Sequence, residues 1–123
     1  MKPLNLILII GVATLLSACS KAPDVTGNWS WVMPGSQYSG RMALRQSRDG
    51  SITGTMYDTG DAEAGDLTGR TKGNFVEFKR VWGEPAHEQQ YKLALSADGK
   101  KLIGTFDGFR DLRVGTDFEA NKK

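Results

Sequence analysis

The stretch 65–81, Gly-Asp-Leu-Thr-Gly-Arg-Thr-Lys-Gly-Asn-Phe-Val-Glu-Phe-Lys-Arg-Val, decides the fold. Val76 and Phe78 alternate with Glu77 and Lys79, the period of two that belongs to a strand with one wet face. Just before them, Thr71-Lys72-Gly73-Asn74 sets a glycine beside a residue that tolerates a left-handed backbone. That pairing marks a tight hairpin.

The same grammar extends outward. Ser47-Arg48-Asp49-Gly50 and Ala97-Asp98-Gly99-Lys100 are turns of the same kind. Trp29, Trp31 and Met33 alternate with smaller or polar residues, as do Met42 and Leu44, Ile52 and Met56, and Tyr91, Leu93 and Leu95. Leu102 and Phe106 bracket Gly104, and Val114 and Phe118 share a face. No segment after the N-terminal region keeps a helical period. The pattern predicts about eight short strands, at 28–33, 40–46, 51–57, 65–71, 74–81, 88–96, 101–106 and 112–119. The expected class is all-β, an antiparallel up-and-down meander that closes into a small barrel and so removes its sticky edges. An open β-sandwich is the alternative. Ile52-Thr53-Gly54-Thr55, Leu67-Thr68-Gly69-Arg70 and Leu102-Ile103-Gly104-Thr105 echo one another at unequal spacing, as a recurring strand type with glycine at bends.

The N-terminus is of another kind. Met1-Lys2 is followed by the almost wholly apolar run Leu4–Leu16, and Ser17-Ala18 precedes Cys19. A charged start, a short apolar run and a small-residue exit describe a secretory signal peptide, and the run is short for a membrane span. Leu16-Ser17-Ala18-Cys19 resembles the lipobox of bacterial lipoproteins. That resemblance implies cleavage before Cys19, diacylglyceryl and further acyl chains (palmitate among them) on Cys19, and, with Ser20 in place of a retention aspartate, an outer-membrane anchor facing the periplasm. Cys19 is the sole cysteine, so the fold stands without an internal disulfide. The expected organisation is a signal peptide over 1–18, a lipidated cysteine and short tether over 19–26, a barrel over 27–119 and a polar tail over 120–123.

The chain carries 16 Lys and Arg against 14 Asp and Glu, and cleavage would remove Lys2. Such a balance argues against a nucleic-acid partner, which calls for a clustered positive excess. Lys100-Lys101 and Lys122-Lys123 are short basic pairs that read as solvated ends and turns and not as a lipid patch, since lipid recognition takes about 4–8 residues together.

Thr26-Gly27-Asn28-Trp29 resembles the Gly-x-Trp opening of calycins, the superfamily of lipocalins, fatty-acid-binding proteins and avidins, in which the tryptophan closes one end of the barrel. Gly50-Ser51-Ile52-Thr53-Gly54-Thr55 is similar to an early avidin strand, with Met56 where avidins place a pocket tyrosine. Arg113-Val114-Gly115-Thr116-Asp117-Phe118 resembles the last avidin strand, which implies a ligand-binding role for Asp117. The polar set that holds biotin is otherwise missing. In size and anchor the chain also resembles the lipid-anchored inhibitors of lysozyme, without their cysteine pair.

Trp31 and Met33 share the face of Trp29 and point to a barrel interior or mouth, and Trp82 precedes the loop Gly83–Pro85. With Met56 and Asp117 they form the candidate ligand site. His87, the only histidine, lies between Glu84 and Glu88, a poor ligand set for a metal and a poor catalytic set without a second histidine. The acidic loop from Asp58 to Asp66 departs from the calcium-loop spacing. The function expected is a non-catalytic, lipid-anchored envelope module without a cofactor, holding a small apolar ligand or an envelope protein. The alternative is a structural or inhibitory lipoprotein that acts on an envelope enzyme or assembly through its loops.

Overall fold

A computed structural model describes residues 24–62, 64–108 and 115–123. Cys19 and the segment before it lie outside the described residues, as does Val114.

Local turn chemistry sets the strand ends. Gly73 takes φ 61° between two strands, a conformation that costs glycine nothing and other residues strain. Asp49 and Asp98 fasten the neighbouring turns: their carboxylates accept from the Ser51 amide at 2.9 Å and the Lys100 amide at 3.0 Å. Between such turns run β1 (Gly27–Val32), β2 (Ser39–Gln46), β3 (Ser51–Asp58), β4 (Gly65–Lys72), β5 (Phe75–Trp82), β6 (His87–Leu95), β7 (Lys101–Asp107) and β8 (Thr116–Lys122). A single 3-10 turn, Thr59–Asp61, follows β3.

Every strand pairs antiparallel with its neighbours in sequence, and β1 also pairs with β8, so the meander is a closed barrel. The sandwich alternative is excluded. Alternation sends Trp29, Met42, Ile52, Leu67, Phe78, Leu93 and Phe118 inward, each 2 % exposed or less. At roughly 25 cal/mol per Å² of apolar surface removed from water, this core is the main stabilising term. The echoing glycines lie on the same inward face: a Cβ at Gly54, Gly69 or Gly104 would overlap the carbonyl oxygen of Ala43, Glu77 or Lys92 on the adjacent strand. They mark where the sheet bends hardest.

Two boundaries differ from the sequence expectation. Residues 120–122 are strand and not tail: Ala120 is fully buried, and Trp31↔Ala120 and Trp29↔Lys122 form the seam. Polar Asn121 and Lys122 obscure this, yet closure needs those residues as partners of β1. Val25 is also fully buried, accepts from the Trp29 indole at 2.9 Å, and donates its amide to Gln46 Oε1 at 3.0 Å. The fold therefore begins before Gly27. All the described core lies between Val25 and Ala120, and the eight strands close on one another.

The meander gives the barrel two unlike ends. The base carries the tight turns, the incoming chain and the last residue, and Trp29 with Val25 plugs it. The mouth carries the connections β1–β2, β3–β4, β5–β6 and β7–β8.

Candidate functional site

At the mouth the described residues leave the interior open. A cavity of about 810 Å³ opens there, lined by Trp31, Met33, Trp82, Tyr91, Phe106 and Phe118 together with Asp58, Arg80 and Gln89. An eight-stranded barrel has room for one small ligand or for packed side chains; this one uses its base for packing and its mouth for space.

Alternation builds the wall. Trp31 lies two places beyond Trp29 on β1, stacks on Phe118 at 5.6 Å and donates its indole N–H to the Tyr57 carbonyl at 3.1 Å. Tyr91 stacks on Phe78 at 5.0 Å and on Phe106 at 4.8 Å, and meets Phe118 edge-on at 5.0 Å. Aromatic pairs of this geometry add about 0.5–1.5 kcal/mol each beyond area burial, which stiffens the cavity floor.

Set into that apolar wall is a polar cluster. Arg80 is 4 % exposed and Gln89 7 % exposed, among otherwise hydrophobic buried side chains. Arg80 Nη2 approaches Asp58 Oδ1 at 3.3 Å, and its guanidinium lies 4.7 Å from the Trp82 ring centroid. Gly65 leaves the room this side chain occupies, since a Cβ there would stand 2.6 Å from Arg80 Nε. The Tyr91 hydroxyl donates to Gln89 Oε1 at 2.8 Å and lies 3.5 Å from Met56 Sδ. Burial pushes the Tyr91 phenol up to about 12, with the Arg80 charge opposing. The hydroxyl thus stays protonated across the physiological range. Guanidinium, amide and phenol together offer donors and acceptors to one polar group in a low-dielectric pocket.

Of the residues expected from sequence, Trp31, Met33 and Trp82 line this cavity. Met56 is fully buried beneath it, in contact with the Tyr91 hydroxyl. Asp117 does not belong to it. It is exposed on the outer face of β8 opposite Thr105, because alternation gives the inward places to Phe118 and Ala120. Sequence reading missed Arg80, Gln89 and Tyr91. The signal was present: Val76, Phe78, Arg80 and Gln89, Tyr91, Leu93 are unbroken period-two series.

The acidic loop is engaged by arginines. Asp58 faces Arg80, and Asp61 binds Arg41 at 2.7 Å, a contact that holds the Asp61 carboxyl below its usual range. His87 tilts against Trp82 at 5.4 Å on the rim. Among the described residues no group of three or more His, Cys, Asp or Glu is placed to hold a metal ion, and no helix is long and apolar enough to cross a membrane.

Fold and site define a class of protein, the closed meander barrel with an aromatic, polar-floored cavity at one end. No family model matches the chain, and no curated protein or solved structure matches it.

Proposed function

We propose that this protein is a non-catalytic binding module that takes one small molecule into the mouth of its barrel, while lipid on Cys19 holds it at the outer membrane facing the periplasm. One observation carries the ligand reading: a guanidinium 4 % exposed, among aromatic rings, on the wall of a cavity of about 810 Å³. A buried cation is expensive unless partnered, and Asp58 and Trp82 hold this one against the open space. The matching ligand has an apolar body for Trp31, Phe106 and Phe118 and one polar group for Arg80, Gln89 and Tyr91. Native mass spectrometry of the full chain, purified from cell envelopes, is expected to show a bound species that Arg80→Met and Trp31→Ala lose. A chain that is ligand-free from envelopes, and whose tryptophan emission no amphiphile in a panel alters, would sink the reading. The anchor is checked separately, by the mass of the N-terminal peptide.

A second reading, a structural or inhibitory lipoprotein, draws on the rim, where Asp61, Glu84, Glu88 and Asp107 are exposed. It calls for a basic envelope protein as partner. Glu84→Gln/Glu88→Gln would then abolish capture of that partner and leave the cavity's ligand in place; the reverse pattern favours the first reading.

A further inference from the structure

The two lysine pairs that are far apart in sequence meet in the fold. The Lys122 amide donates to the Lys100 carbonyl at 2.8 Å, Lys101 faces Asn121 across β7–β8, and the Lys123 amide donates to the Asn28 carbonyl at 2.9 Å. Lys100, Lys101, Lys122 and Lys123 thereby gather at the base of the barrel. Of these, Lys101 also reaches Glu119 at 3.2 Å, and Lys122 lies 5.8 Å from the Trp29 ring. Four lysines together reach the size at which anionic lipid surfaces are recognised.

An apolar strip runs beside them. Ile103 is two places from Lys101 on the outer face of β7, and the register Phe75↔Ala94↔Ile103 carries the strip across three strands. Phe75 is 62 % exposed and Ile103 51 % exposed, the large hydrophobic side chains left on the described surface. The chain also enters at this end, at Asp24, whose carboxylate accepts from the Thr26 amide at 2.9 Å. From there Cys19 is five residues back along the chain, at most about 18 Å when fully extended. Asp61, Glu84, Glu88 and Asp107 occupy the opposite, mouth end. Charge, exposed apolar area and chain entry all coincide at the base.

We infer that the base is a lipid-docking face: its lysines sit over anionic phospholipid headgroups, Phe75 and Ile103 enter the interface, and the mouth points away from the bilayer. The orientation rests on the anchored reading; the affinity of the face does not.

The chain beginning at Ser20, which keeps all the described core, isolates that affinity. It is expected to co-sediment with phosphatidylglycerol–phosphatidylethanolamine vesicles and not with phosphatidylcholine vesicles. Binding should vanish near 1 M salt, where screening shortens to about 3 Å. Lys100→Gln/Lys123→Gln should lower partitioning about tenfold or more, and Phe75→Ser/Ile103→Ser should lower it with the salt dependence kept. Thermal midpoints equal to the parent's confirm that these surface variants fold. In the full chain reconstituted by its N-terminus, brominated acyl chains should quench a Phe75→Trp variant more than its parent. Equal binding to both vesicle types, or partitioning that neither double variant changes, overturns the proposal. An unmodified Cys19 would remove the anchor reading and leave the vesicle result standing.

Discussion

Arg80 stands where alternation along β5 sends an inward side chain, two places beyond Phe78 and four beyond Val76. Its inward place in the period-two series was legible in the sequence, but a charge at the end of an apolar series is no ordinary core residue, and it was not among the site residues expected. The structure keeps it inside because Asp58, Trp82 and the missing side chain at Gly65 make a berth for it. Tyr91 offers a test of that environment. Its phenol titrates near 12 in the fold and near 10 in an unfolded chain. The raised value contributes stability that is complete below pH 10 and is lost as pH rises from 10 through 12, because the unfolded chain ionises first. The loss amounts to roughly 2–3 kcal/mol. Denaturant titrations of the parent should show that decline. Tyr91→Phe, which has nothing to ionise there, should flatten it, and a variant that declines as steeply as the parent would place the titrating group elsewhere. At neutral pH the same variant should cost about 1–2 kcal/mol, since Gln89 loses a buried partner.

At the scale of elements, strands and hairpins were legible because both signals are local. The turns at Asp49-Gly50, Gly73-Asn74 and Asp98-Gly99 are set by residues next to one another in the chain, and alternation tells in from out with no knowledge of the neighbour. Asp117 shows the limit of arguing from a motif instead: alternation from Phe118 puts it outside, while the resemblance put it in the pocket. The inward glycines were legible as bends, but only the register shows which carbonyl each one meets. Gly69 lies against Glu77 O and the Phe78 backbone. In an unstrained, open site Gly→Ala stabilises by about 0.4–1 kcal/mol through the unfolded chain. Here the Cβ has no room, so Gly69→Ala should destabilise, by roughly 1–3 kcal/mol. Thr68→Ala, one place away on the exposed face, should stay within about 0.5 kcal/mol of the parent. Chemical denaturation of the pair decides it, and a stabilised Gly69→Ala would show that the sheet yields there.

For the whole molecule, closure was legible from strand number and the regularity of the turns, whereas the end of the last strand was not. Asn121 and Lys122 look like tail, and only β1 on their far side makes them strand. A chain ending at Phe118 should therefore fail to close and leave β1 and β7 with open edges. The expected signs are self-association on size exclusion and red-shifted tryptophan emission as Trp29 loses its cover; a monomer with native emission would show that the seam is dispensable. That seam has a temporal consequence as well. β1 leaves the ribosome early and β8 last, yet each is the other's missing neighbour. No partial chain can finish the ring, and pairing the two ends is the most non-local contact in the fold, the kind that forms slowly. Hairpins paired earlier thus remain an open sheet, with β1 exposed along one edge, until β8 docks on it.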